Sequence, residues 1–470
     1  MGLNDSPVSD LGTPTRVRYG VLAFACTLSM ITYLDRVCFG TVAGYVQTEF
    51  RLSDSEKGLL FTAFALAYAL FEVPSGWLGD VFGPRKTLIR IVLWWSFFTA
   101  VTGLIYPEML GLGVAFAAML AVRFLFGMGE AGAYPNLARA LHNWFPFQER
   151  GFAQGMVWMA GRLAGGFTPF LVLALLIERP TAHGDPTTMW RHIFWIFGGL
   201  GVVWCAIFWL WFRDRPEQMP SVNAAERALI AGPTPEPDVS HSGGPWRHFL
   251  LSGNLWVLCL MYFCTAYGWY FNITWLPDYL REQFGLDRGS RWSAAFWKFS
   301  LLAGAPLLLG SLACVVGGFL TDEFIRRTGN RKWGRRFFGV LGHGLCSSLY
   351  LSSLFVGDVW LFVAVISLAT FFNDLTMGSA WASCLDIGRK YSGMVAGCMN
   401  MVGNLGGAAA GYITGWVLDY SAHLVEPGAD AKAFGWRVNF LIFASVYALA
   451  TALWLRFDST KPVIPEEGAA

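Results

Sequence analysis

Apolar residues run along this chain in long stretches separated by short polar segments. A helix needs roughly 20 mainly apolar residues to cross a bilayer. Twelve stretches reach that length, over about 18–45, 57–79, 87–106, 110–140, 149–177, 190–213, 248–280, 296–325, 336–356, 359–386, 391–419 and 435–457. The pattern predicts an all-α membrane protein of twelve transmembrane helices. Those crossings use nearly the whole chain and leave no room for a soluble catalytic domain.

The exceptions to the pattern carry the chemistry. Asp35 and Arg36 interrupt the first stretch, Arg123 and Glu130 the fourth, and Arg162 the fifth. A charge at the centre of a spanning helix costs about 2.5–3.5 kcal/mol on insertion scales, so it is usually kept for a pathway or a binding site. Five of them predict a polar cavity inside a helical bundle. Asp35 and Arg36 point about 100° apart and can border one cavity without forming an ideal pair. The alternative is a mutually neutralised or snorkelling pair. Arg123 and Glu130 lie two turns apart on one face, roughly 10 Å along the axis and too far for a direct bond in a straight helix. Here the alternative is an inert buried ion pair.

A second pattern is repetition. GWLGD at 76–80 recurs as GFLTD at 318–322, and Gly151, Gly155 and Gly161 recur as Gly393, Gly397 and Gly403, all at an offset of 242 residues. Two matches at one offset imply a duplicated block of six helices, in parallel because six is even. The expected layout is a tail over 1–17, a six-helix bundle over 18–213, a linker over 214–247, a second bundle over 248–458 and a tail over 459–470. The linker is rich in Pro, Gly and Ser, with AAERALI as a short surface helix.

Composition agrees with the membrane reading. The chain is 55% hydrophobic and 14% charged, with a mean hydropathy of +0.45, beyond what a soluble protein of this size hides. Basic residues such as Arg85, Lys86, Arg139, Arg150, Arg335, Arg336, Arg389 and Lys390 fall in alternate loops, which predicts both termini in the cytoplasm. The segment from Arg281 to Lys298 runs against that trend. No cleavable signal is recognisable, and the net charge of +2 carries no nucleic-acid signal. The nine cysteines fall in or at the ends of predicted spans, which disfavours a disulfide framework or zinc site. The seven histidines, His343 among them, are expected in loops or near helix ends without metal spacing. No metal and no cofactor is expected.

The segment GWLGDVFGPRKTL at 76–88 joins the second and third spans. An acid at such a turn can pair with a basic residue or helix N-terminus of the other half. Asp80 and Arg85, with Asp322 in the second half, are therefore candidates for a conformational latch. The alternative is a turn with topology-setting charges.

GWLGDVFGPRK resembles the loop signature of the major facilitator superfamily. YLDR at 33–36, RFLFGMGEAGAYPN at 123–136, WFPFQERGFAQG at 144–155, WLPDYL at 275–280 and GCMNMVGNLGG at 397–407 resemble its anion:cation symporter family. That family includes bacterial galactonate and hexuronate transporters and the vesicular glutamate and sialic-acid transporters of animals. The resemblance covers both halves. It implies the major facilitator fold, two six-helix pseudo-repeats about a midplane cavity. It also implies proton coupling through Asp35 and Glu130, substrate recognition by Arg36, and a coupling role for Arg123 among the substrate-addressing groups. The vesicular members carry an acid where this chain has Phe126, so it looks closer to the bacterial sugar-acid symporters.

Arg162 stands where galactonate-type members place a glutamine. Its fork of donors suits a carboxylate, which makes it a third substrate-binding candidate or else a partner for Asp35 or Glu130. Glu72 also stands where glutamine is common. By resemblance, Tyr33, Tyr68, Trp381, Asn400 and Asn404 complete the set, although each can equally be a packing residue. The expectation is a proton-coupled symporter of small organic anions, sugar acids such as hexuronate or hexonate, monomeric in the inner membrane. A sodium- or proton-coupled carrier of sialic acid, phthalate-like or other carboxylates is the alternative. A sensor or an embedded enzyme lacks any supporting motif.

Overall fold

The computed structural model describes residues 12–146, 149–180, 186–231, 246–287, 289, 292–388, 392–424 and 430–464. Arg389, Lys390, His183 and His241 lie outside them, as do the outer parts of both tails and residues 232–245 of the linker.

In the first half, α1 (Val17–Phe50), α2 (Asp54–Phe82) and α3 (Pro84–Thr102) are followed by the short α4 (Pro107–Leu110). The fourth predicted stretch is two helices, α5 (Leu112–Glu130) and α6 (Ala133–Trp144), and then come α7 (Arg150–Leu175) and α8 (Arg191–Trp211). Local chemistry sets the starts. Ser53 and Glu56 form a reciprocal capping box at α2, and Pro84 occupies the first turn of α3, where its missing N–H costs nothing. Gly132, in the left-handed region at φ 90°, separates α5 from α6. Between α7 and α8, where the sequence suggested only a loop, β1 (Ile177–Pro180) and β2 (Pro186–Met189) pair antiparallel with Ile177 opposite Met189.

The linker holds the expected helix, α9 (Ala224–Ala231), before α10 (Trp246–Leu251). Glu226 of α9 is fully buried and accepts hydrogen bonds from the backbone N–H groups of Val17 and Arg18 at the start of α1. An acid there satisfies otherwise orphaned donors of the helix N-terminus.

The second half follows the same plan with α11 (Gly253–Thr274), α12 (Leu276–Phe284), α13 (Ala294–Thr328), α14 (Arg331–Ser353), α15 (Val359–Leu375), α16 (Met377–Gly388), α17 (Ser392–Leu424) and α18 (Ala431–Arg456). Two more predicted stretches are split, at Trp275 and at Thr376. Twelve spans in two six-span halves result, three of them broken. Eight helical segments are long and apolar enough to cross a bilayer by length and composition alone. The others, α3, α11, α14 and α17, are long helices with more polar, aromatic or glycine positions. One expectation changes: His343 lies in the middle of α14 and is completely buried, held by Thr265 Oγ1 and the Trp454 indole at 3.0 Å each. The neutral ring satisfies two buried polar groups, so no loop is needed to solvate it.

The halves meet along α2 with α17, α7 with α13, and α1 with α11. The end of the bundle far from both termini is closed by polar contacts between the halves. Lys57 pairs with Asp278 at 3.0 Å, Lys432 with Asp54 at 3.2 Å, and Asp419 accepts from the backbone N–H groups of Asp54 and Ser55. At the end carrying the termini, no ion pair joins the halves among the described residues. Asp322 is 78% exposed there and meets Arg335 of its own half at 3.5 Å. The cavity is thus shut at the distal end.

Candidate functional site

Six side chains of the first half and a larger set from the second surround one central cavity, which encloses about 520 Å³ of empty space counting the part open to solvent. From α1, Tyr33 and Arg36 face it, one turn apart. Tyr68 enters from α2, Tyr134 from α6, and Trp158 and Arg162, also one turn apart, from α7. The second half closes the opposite wall with an aromatic group from α11, Tyr262, Trp269 and Tyr270, together with Asn373, Asn400 and Asn404.

The charges are ordered as two pairs. Arg36 Nε donates to Glu130 Oε1 at 2.5 Å, and its guanidinium lies 4.6 Å from the Tyr68 ring centroid. Glu130 is the last residue of α5, and the break behind it lets α6 turn Tyr134 into the cavity. Arg162 Nη1 lies 3.1 Å from Asp374 Oδ2 of α15, across the interface between halves. It also lies 4.9 Å from the Trp269 ring. Neither arginine is saturated: Arg36 Nη2 and Arg162 Nη1 are buried without a hydrogen-bond partner, as are the Trp158 and Trp269 indole N–H groups. These unmet donors line a polar space that an oxygen-rich anion can fill.

Asp35 and Arg123 form a layer behind this wall. Asp35 is 3% exposed, neither of its oxygens has a hydrogen-bond partner, and it does not line the cavity. Arg123 lies among rings, 4.2 Å from the Phe39 centroid and 5.0 Å from Phe126. It interacts electrostatically with both Asp35 and Glu130 without a direct bond to either, which for Glu130 is what the two-turn spacing implies. The phenylalanine at 126 is thus an aromatic face for this arginine.

The polar wall is connected. Glu72 and Asn400 are hydrogen-bonded across the halves, the Tyr270 hydroxyl donates to Asn404 Oδ1 at 3.0 Å, and the Trp381 indole donates to the Tyr262 hydroxyl at 3.3 Å. Trp381 itself stands behind the lining. Of the latch candidates, Asp80 lies near the end of α2 with its side chain outside the described ones. Arg85 stacks on Trp209 of its own half at 4.2 Å. The sequence-based candidates omit Asp374, Tyr134, Trp158, Trp269 and Tyr270. Asp374, in FFNDL within the tenth apolar stretch, satisfies the same rule that picks out Asp35; the aromatic residues carry no signal that distinguishes them from packing.

Two relatives align along most of the chain. A probable sulfoacetate transporter of Cupriavidus necator is 32% identical over 86% of this chain and 88% of its own length. A probable galactarate/D-glucarate transporter of Escherichia coli is 30% identical over 88% of this chain and 92% of its own. Among solved structures, a bacterial homologue of the human lysosomal transporter Spinster, inward-facing and unoccupied, shares the fold with a TM-score of 0.72 at 20% identity, covering 94% of this chain and 97% of that one. The Major Facilitator Superfamily model matches residues 25–411. With that match, the two six-span halves and the cavity between them, the chain belongs to the Major Facilitator Superfamily of membrane transporters and is not an enzyme.

Proposed function

We propose that this protein is a proton-coupled symporter of small organic anions, sugar acids or short acids of similar polarity. It works by alternating access in the cell's inner membrane, as a monomer with both termini in the cytoplasm. In this reading residues 18–213 and 248–458 are the two moving bundles and 214–247 the linker. The observation that carries it is charge balance at the cavity. Each cavity arginine already holds an internal carboxylate, Glu130 on Arg36 and Asp374 on Arg162. An external anion added to a neutral buried pair brings an uncompensated charge, which is expensive in a low-dielectric site. A proton taken up by the internal acid removes that cost and frees the arginine for the substrate. Asp35 is the second acid: an ionised carboxylate without hydrogen-bond partners is costly in the same way, and a bound proton relieves it.

The arithmetic of import agrees. Bringing a monoanion into a negative interior costs about 2.3 kcal/mol per 100 mV; two accompanying protons reverse the sign of the charge moved with a monoanion and cancel that moved with a dianion. Arg36 and the Asn400–Asn404 wall hold the substrate's acid and hydroxyl groups, while Tyr33 and Tyr68 offer ring faces. The relatives named for sulfoacetate and galactarate/D-glucarate, and the hexuronate transporter of Bacillus subtilis at 25% identity over 91% of this chain, support small acids as the substrate class. The test is uptake of labelled hexuronate, galactarate and sulfoacetate into proteoliposomes, with an imposed inward proton gradient and with none. Accumulation of at least one of them only with the gradient is expected. Equal accumulation of all three without it refutes proton coupling.

A further inference from the structure

Arg162 and Asp374 form a second buried arginine–carboxylate pair beside the Arg36–Glu130 pair. They lie on opposite halves, at 3.1 Å, and the contact is not aligned as a hydrogen bond, so Arg162 Nη1 and Asp374 Oδ2 both remain without a hydrogen-bond partner while 3% and 0% exposed. Asp374 is otherwise held by Asn373 Nδ2 at 3.1 Å. Gly310 of α13 makes room for it, because a Cβ there would stand 2.4 Å from Asp374 Oδ2. The duplication adds a second argument. Glu130 ends α5 and Asp374 is the penultimate residue of α15, so each half presents an acid at the break of its fourth span. Each of those acids meets an arginine of the first half, one from α1 and one from α7. The two arginines flank the same cavity, with Tyr33 between them: its ring is 6.0 Å from the Arg36 guanidinium and 6.0 Å from the Trp269 ring on which Arg162 sits.

We propose that Arg162 is a second anion subsite gated by Asp374, so that the transporter selects organic acids with a charged group at each end over those with one. This rests on the transport reading above and names the substrate class within it. One anionic group goes to Arg36. The other displaces the Asp374 carboxylate from Arg162, and Asp374 takes up one proton from the bulk solution, carried in with the substrate, so the subsite stays neutral before and after. Asp374 meets Arg162 from α7 directly and interacts electrostatically with Cys314 from α13, Tyr33 from α1, Cys346 from α14 and Tyr447 from α18. Arg162 is the one cation among them. Because the pair bridges the halves, a bound two-headed acid also replaces a contact that otherwise ties α7 to α15.

The experiment is counterflow exchange in proteoliposomes, which needs no driving gradient, with galactarate as the two-headed probe and galacturonate as the one-headed probe of the same carbon count. Wild type is expected to favour galactarate. In Arg162→Gln the galactarate-to-galacturonate affinity ratio is expected to fall at least tenfold. Asp374→Asn preserves the shape of the side chain and its contact with Asn373. It is expected to flatten the dependence of galactarate affinity on pH by about one proton. A ratio unchanged in Arg162→Gln, or an unaltered pH dependence in Asp374→Asn, overturns the inference while leaving the symporter reading standing. Exchange of neither probe nor of sulfoacetate by wild type overturns both.

Discussion

The distal closure gives the prediction whose magnitude the structure constrains best. Lys57, at the start of α2, is 1% exposed and pairs with Asp278 of the other half at 3.0 Å and with Asp54 of its own helix at 3.3 Å. Its ammonium also donates to Gln47 Oε1 at 2.7 Å and lies 4.5 Å from the Trp275 ring. Lys57→Met keeps the stem and removes the charge. Taking one partner from a buried pair costs roughly 3–5 kcal/mol. Here the orphaned acids retain second cations, Asp278 with Arg281 at 3.4 Å and Asp54 with Lys432 at 3.2 Å. The expected loss is therefore below that range, about 2–3 kcal/mol. It falls on the distally closed state alone, because opening that end brings Lys57 to water, where its charge needs no partner. At about 1.4 kcal/mol per tenfold, the ratio of closed to open forms drops roughly 30- to 150-fold. The assay replaces the nine native cysteines and places single cysteines on the facing surfaces of α2 and α17 at each end. Maleimide labelling should accelerate at least tenfold at the distal end and slow at the other. Unchanged rates at both ends, in a variant that remains monodisperse in detergent, would mean that the closure does not depend on this pair.

Asp35→Asn and Glu130→Gln are each expected to abolish gradient-driven accumulation while leaving folded protein in the membrane; wild-type gradient dependence in either variant removes that residue from coupling. Asp80→Ala is expected to shift the protein toward the form open at the terminal end and to reduce turnover with little change in substrate affinity, checked by the same cysteine labelling. Identical labelling would leave Asp80 a turn and topology residue. Asp458, just beyond α18, has its carboxyl lowered to about 2: burial alone would raise it, but hydrogen bonds from Lys332 and Thr460 outweigh that. Its contribution, reduced by solvent screening of the exposed Lys332 partner to about 1 kcal/mol, is complete above pH 4 and lost as pH falls through about 2. The difference in apparent melting temperature between wild type and Asp458→Ala should accordingly be constant above pH 4 and shrink below it. A difference that persists at pH 2 would show that Asp458 acts through packing.

Hydrophobic length and duplication are one-dimensional properties, and they are written in the chain directly. The twelve stretches, the offset that relates GWLGD to GFLTD, and the acids and arginines stranded among apolar residues could all be read without coordinates. Each is enforced by the cost of a charge or an unpaired backbone group in hydrocarbon, a cost that depends on the residue and its depth. Which charge meets which is a different kind of information. Arg36 takes Glu130 and Arg162 takes Asp374 because packed helices bring residues distant in sequence to one level of the bundle. A shift of one residue along any of those helices turns a side chain by about 100° and would undo both pairs. The same packing sets Asp35 and Arg123 behind the cavity wall and brings Tyr134 and Trp158 onto it. The breaks at Gly132 and Thr376 likewise belong to the tertiary structure. An apolar run does not reveal where it stops being one helix, since a span can divide wherever neighbouring helices and side chains satisfy the freed backbone groups.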